Sequence, residues 1–117
     1  MRPETPKLLE DVRVAAAFIL DKTSGKALDD YLGDDLLRPA VERNFEIIGE
    51  ALNRLGRKDP KTLGQIPDHA RIIAFRNILI HGYDAIDDRR VWDAIVNALP
   101  TLLQTVENLL ADVEPTA

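Results

Sequence analysis

Apolar residues recur along this chain at intervals of three and four, the period of a helix buried along one face. Leu8, Val12, Ala15 or Ala16, and Ile19 form the first such stripe, with Thr5 as its expected cap and Pro6 at its first position. Residues 1–5 read as a frayed end, and Thr23-Ser24-Gly25 as the stop. A short helical piece over 26–32 carries Leu28, Tyr31 and Leu32. Gly33-Asp34-Asp35 breaks the chain again, with Asp34 as the next cap. A long helix to about Arg57 then shows a clean stripe of Leu37, Val41, Phe45, Ile48, Leu52 and Leu55, with Pro39 in its opening turns. Gly49 sits inside it and costs about 1 kcal/mol against alanine. Helix stability gives no reason for that glycine; close approach of another backbone does.

Residues 58–67 read as a polar connection punctuated by Pro60, Gly64 and Pro67. A fourth helix follows from Asp68 to His81, with Ile72, Ile73, Phe75, Leu79 and Ile80. Asp84 to Asp88 reads as a loop in which Asp87 caps the last helical segment. That segment holds Trp92, Ile95 or Val96, Leu99, Leu102 or Leu103, Val106, Leu109 or Leu110, and Val113, and Pro100 must kink or divide it. No strict alternation and no hairpin turn competes. The expected fold is all-α: an antiparallel bundle of about five helices, one domain over 1–117, with 1–5 and 114–117 flexible.

Composition narrows the class. With 117 residues, 45% hydrophobic and 30% charged, the chain fits one core. A net charge of −5 argues against coating nucleic acid by bulk charge, yet from Arg71 to Arg90 four arginines stand against three aspartates. The sequence has no cysteine and two histidines, so neither a disulfide framework nor a metal-ligand cluster is legible, and no cofactor is expected. The apolar run from Ala15 to Leu20 is short and preceded by acids, so a cytoplasmic protein without a membrane span is expected.

The candidate chemistry lies in Arg76-Asn77-Ile78-Leu79-Ile80-His81-Gly82-Tyr83. Gly82 is a natural residue to close the helix. Asn77 and His81 are four apart, so they share a face and Asn77 can orient the imidazole. Arg76 lies about 140° round the axis from His81, so one helix alone does not bring them together. Either the arginine curls round, or a second copy of the helix completes the site. An unperturbed imidazole titrates near neutrality, so His81 can move a proton. Arg76 offers a fixed charge and a planar fork that suits phosphate. Tyr83 offers a hydroxyl for a phosphate or a ring for a base. These are parts for cleaving RNA without a metal, with arginine steadying the added negative charge.

Elsewhere, Glu42, Glu46, Gly49 and Asn53 follow one helical line, and Glu46 and Glu50 are four apart. The line is either a solvated face or one turned to a partner subunit or to the motif helix, with Gly49 permitting the approach and Glu46 or Glu50 pairing with Arg76 or orienting His81. Arg89 and Arg90 are either solvated or contacts for RNA phosphates or an acidic partner. Trp92 reads as core, His69 as a helix-start residue, and Tyr31 has no assigned role.

The motif resembles the signature of the HepT-like toxins of the HEPN superfamily: an arginine, a polar residue, a histidine after four intervening residues, one further residue, then a tyrosine. The stretch from Ala40 to Ala51 resembles that family's long second major helix, and Val91-Trp92 its valine–tryptophan pair. Asp68-His69 departs from it where an aromatic residue is expected after the proline. The resemblance implies a homodimer whose motif helices meet in a composite cleft, with Gly49 and Asn53 at the dimer interface. It implies metal-independent ribonuclease activity with Arg76 and His81 catalytic, Asn77, Glu46 and Glu50 supporting, and Tyr83 contacting RNA. It further implies a toxin–antitoxin pair in which an MntA-like nucleotidyltransferase attaches AMP to Tyr83. Some HEPN proteins are instead non-catalytic substrate- or nucleotide-binding partners of such transferases. A plain helical dimerisation module would leave the polar motif without a purpose.

Overall fold

The computed structural model describes residues 2–81 and 87–112, with the side chains of all of these except Ile80 and His81. Seven helices run α1 (Thr5–Thr23), α2 (Leu28–Leu32), α3 (Leu37–Lys58), α4 (Pro60–Leu63), α5 (His69–His81), α6 (Asp88–Asn97) and α7 (Leu99–Ala111), and no strand occurs among the described residues. They make the expected all-helical bundle. The count exceeds five because the connection after α3 holds its own short helix and the last segment is divided.

Helix α3 is the hub: it packs on α1, α5, α4 and α2, while α7 lies on α1 and α6. Its stripe of Val41, Phe45, Ile48, Leu52 and Leu55 is buried, and Leu37 is half-buried. Leu9, Val12, Ala16 and Ile19 of α1 meet this core, as do Leu99, Leu102 and Val106 of α7. Each large aliphatic side chain so buried contributes about 1.5–3 kcal/mol. Gly25 ends α1 with a φ of +76°, which a side chain would disfavour.

Capping follows the sequence in two places. The Asp34 carboxylate accepts from the backbone N–H groups of Leu36 and Leu37 at 3.0 and 2.9 Å, and those bonds hold its carboxyl below the usual range. Asp87 accepts from the Arg89 N–H at 3.1 Å and opens α6. Pro100 does divide the last segment: α6 ends at Asn97, and the proline falls at the start of α7, where its missing N–H costs least.

Two expectations are corrected. Thr5 is not a cap: it is the first residue of α1, fully buried, and its hydroxyl donates to Asp59 at 2.8 Å. The Arg2 N–H also reaches Asp59, at 3.3 Å. Residues 58–67 are not merely a polar connection. Asp59 caps α4, accepting from the Thr62 N–H and hydroxyl at 3.2 and 2.7 Å, while Thr62, Leu63 and Ile66 are buried.

Tyr31, left without a role, is fully buried; its ring lies 5.6 Å from that of half-buried Trp92, joining α2 to α6. Burial pushes its phenol up, helped by the negative charges of Glu42 and Asp88. The closing glycine Gly82, the loop residues 84–86, Val113 and the tail at 114–117 lie outside the described residues.

Candidate functional site

Helix α5 carries the polar motif, and its local chemistry sets where the groups go. Apolar residues spread around its circumference, but burial divides it: Ile72, Ile73, Phe75, Arg76 and Leu79 are buried or half-buried, while Ala70, Arg71, Ala74, Asn77 and Ile78 are exposed. Phe75 packs edge-on against Phe45 of α3, ring centroids 5.2 Å apart. Leu79 is buried, while Ile78 stays 44% exposed. His69 opens the helix, half-buried, and His81 is its last residue.

Arg76 faces α3. A Cβ built on Gly49 would lie 2.1 Å from Arg76 Cβ and 2.4 Å from its Cγ, so the arginine stem fills the space a side chain at 49 would need. The close neighbour that Gly49 admits in this chain is the motif helix. The stem then carries the guanidinium to the next residue of α3: Arg76 Nη2 donates to Glu50 Oε2 at 2.6 Å. Nη1 donates to Asn77 Oδ1 at 3.0 Å. Nε is buried and has no partner among the described residues. The guanidinium is therefore held by a carboxylate and an amide, and the Arg76 side chain is 20% exposed.

The other candidates fall as follows. Glu46 lies 3.7 Å from Arg43 on its own helix rather than on Arg76. Asn53 is half-buried on α3. The Asn77 carbonyl oxygen is engaged by Arg76; its expected bond to the imidazole involves the His81 side chain, which lies outside the described residues, as does Tyr83. Arg89 and Arg90 are exposed at the start of α6. Among the described residues, no group of three or more His, Cys, Asp or Glu side chains converges to hold a metal ion.

A cleft of about 400 Å³ opens on a different face of α5, lined by Phe45, Phe75, Leu99, Arg71 and Arg90 among others. Arg76 is not part of it. Sequence reasoning also missed Arg38, which donates to the Leu32 carbonyl at 2.5 Å and lies 3.8 Å from Asp88, bracing the start of α6 against α2 and α3. No spacing rule links residues 50 positions apart, so only the fold could have found it.

The fold and the site together define a small all-helical protein with a braced arginine and an amide on the closing turns of the helix that His81 ends. The chain belongs to the ribonuclease HepT-like family of the HEPN superfamily: the family model matches residues 12–109, which include the whole motif. A candidate RNase of Caldanaerobacter subterraneus subsp. tengcongensis is 30% identical over 92% of this chain and 96% of its own length. A protein of Thermococcus cleftensis described as a probable ribonuclease HepT is 32% identical over 86% of this chain and 91% of its own. A candidate RNase of Methanocaldococcus jannaschii is 31% identical over 82% of this chain and 78% of its own. No solved structure matches significantly.

Proposed function

We propose that this protein is a metal-independent endoribonuclease that acts as the toxin of a toxin–antitoxin pair, working as a homodimer with Arg76 and His81 as its catalytic residues. The observation that carries the reading is the braced guanidinium of Arg76 on the helix that His81 ends, in a chain of a ribonuclease family. The RNA 2′-hydroxyl attacks the adjacent phosphorus, the 5′-oxygen leaves, and a cyclic phosphate and a free 5′-hydroxyl result. His81 moves the protons and Arg76 steadies the charge gathered on the phosphoryl oxygens. Glu50 and Asn77 hold the arginine in orientation.

The dimer follows from α5. The outer face of α5 carries exposed Ala70, Ala74 and Ile78 between Arg71 and Asn77, and exposed apolar positions gain from cover. Helix α5 rests mainly on α3, and Ile78 remains 44% exposed. A second copy supplies the cover and brings the two motif helices together, with Asn53 on the α3 side of that junction; Gly49 is seated against the Arg76 stem of its own chain.

The partner is an MntA-like nucleotidyltransferase. The Tyr83 phenol oxygen attacks the α-phosphorus of ATP, pyrophosphate leaves, and the phenol proton is lost. The added phosphodiester, two residues from His81, repels an incoming RNA phosphate. Incubation with ATP, Mg²⁺ and a transferase encoded beside this gene should add one AMP mass at Tyr83; modification elsewhere, or none, contradicts this part.

Cleavage tests the whole. Wild-type protein in excess EDTA should cut RNA, and His81→Ala should lose that activity while staying folded and dimeric. Equal cleavage by the two proteins removes the catalytic role of His81. Activity that returns only with an added metal overturns the metal-free mechanism. RNA or nucleotide binding without any cleavage would make the protein a non-catalytic partner of the transferase.

A further inference from the structure

The Arg76–Glu50 pair is more than a tether. Resting on the ribonuclease reading of α5, we infer that Glu50 is a positioning residue that competes with RNA: it holds Arg76 as a counter-ion and yields it to the substrate phosphate. A carboxylate presents an arginine fork with oxygens arranged much as a phosphate does, so the two vie for one face of the guanidinium. Nη2 is committed to Glu50 at 2.6 Å and Nη1 to Asn77 at 3.0 Å. Nε is buried with no partner among the described residues, so it adds no anchor. Removing the carboxylate therefore frees one of the two hydrogen-bonded corners.

The pair can open. Glu50 is 44% exposed and Arg76 20%, so water screens their attraction and an arriving phosphate can replace the carboxylate. The stem cannot follow freely, because it lies against Gly49, where even a methyl group would collide with it. The head thus swings about a fixed stem, from Glu50 toward the substrate, and returns when product leaves. Glu46, one turn earlier, does not substitute: its near cation is Arg43, at 3.7 Å.

Two substitutions separate charge from anchoring. Glu50→Gln keeps an oxygen acceptor for Nη2 and loses the competing charge; Glu50→Ala loses both. The probe for binding is a short single-stranded oligoribonucleotide with 2′-O-methyl groups, which blocks the attacking hydroxyl. Glu50→Gln should bind it about three- to tenfold tighter than wild type, one phosphate contact being freed of its rival. That gain should vanish in an Arg76→Gln background. With the unmodified oligonucleotide well below saturation, Glu50→Ala should show a kcat/KM about threefold or more below that of Glu50→Gln, because a guanidinium that nothing holds in the free protein must be ordered as RNA binds. Equal or weaker binding by Glu50→Gln, a gain that persists without Arg76, or equal kcat/KM in Glu50→Ala and Glu50→Gln would overturn the inference. Should wild type cleave no RNA, the ribonuclease reading fails on its own, and the binding comparison decides: an Arg76-dependent gain supports the counter-ion role, and its absence refutes it.

Discussion

Gly49 shows how much one hydrogen atom in place of a methyl can decide. Its place inside a long helix signalled close approach, and the structure shows what approaches: the Arg76 stem, within 2.4 Å of any Cβ there. Gly49→Ala gains about 1 kcal/mol of helix propensity. It must also push α5 away from α3, and overpacking of this kind costs about 1–3 kcal/mol. We expect a net lower melting temperature and a larger loss of RNA cleavage than the stability change explains. A variant as stable and as active as wild type would mean that Arg76 does not need this seat. Tyr31 gives the opposite case. Its hydroxyl is buried with no partner among the described residues, so its desolvation is uncompensated. Tyr31→Phe keeps the packing on Trp92 and should match or exceed wild-type stability in thermal melts, by up to about 1 kcal/mol. Clear destabilisation would reveal a bond to the hydroxyl. Nothing in the sequence marked Tyr31, because a short helix gives too few turns for its inward face to be read. The stripe on α3 was legible since six turns repeat the same choice.

At the scale of elements, legibility followed capping chemistry. Asp34, Asp87 and Pro100 act where their residue types predict. The misreading over 58–67 came from Asp59-Pro60, which is itself a cap with proline at the first position, and which the prolines and glycine around it masked as loop. Asp59 gathers four donors: the Arg2 and Thr62 N–H groups and the Thr5 and Thr62 hydroxyls. They join the start of α1 to α4, a tie across 54 residues that no local rule exposes. These bonds favour the charged form and hold the Asp59 carboxyl well below the usual carboxylate range. The sign follows. A group with a depressed folded value adds stability above its unfolded value, about 3.9, and that stability drains away as pH falls toward the folded value. Wild type should therefore lose melting temperature between pH 5 and 3 more steeply than Asp59→Asn (windows of about this width follow from the unfolded value). At neutral pH, Asp59→Ala should cost about 1–3 kcal/mol in denaturant melts. Parallel pH profiles would show that Asp59 is not the titrating tie.

For the whole molecule, the fold class and the family were both readable from the pattern of helices and the motif, because each repeats or spaces its residues regularly. The pairing of Arg76 with Glu50 was narrowed to two carboxylates but not chosen, since choosing needs the register of α5 on α3. A second copy is the part of the account that rests on the surface α5 leaves uncovered. A dimer should appear in analytical ultracentrifugation, and Ile78→Asp, which sets a charge on that exposed apolar position, should shift it toward monomer while circular dichroism stays helical. The sharpest measurement mixes two inactive proteins, Arg76→Ala and His81→Ala, allows subunits to exchange, and assays RNA cleavage. If each site takes its arginine from one copy and its histidine from the other, mixed dimers hold one intact pair, and about a quarter of wild-type activity should return. No activity above that of the separate variants, in a mixture shown to contain mixed dimers, would contradict a site shared between two copies.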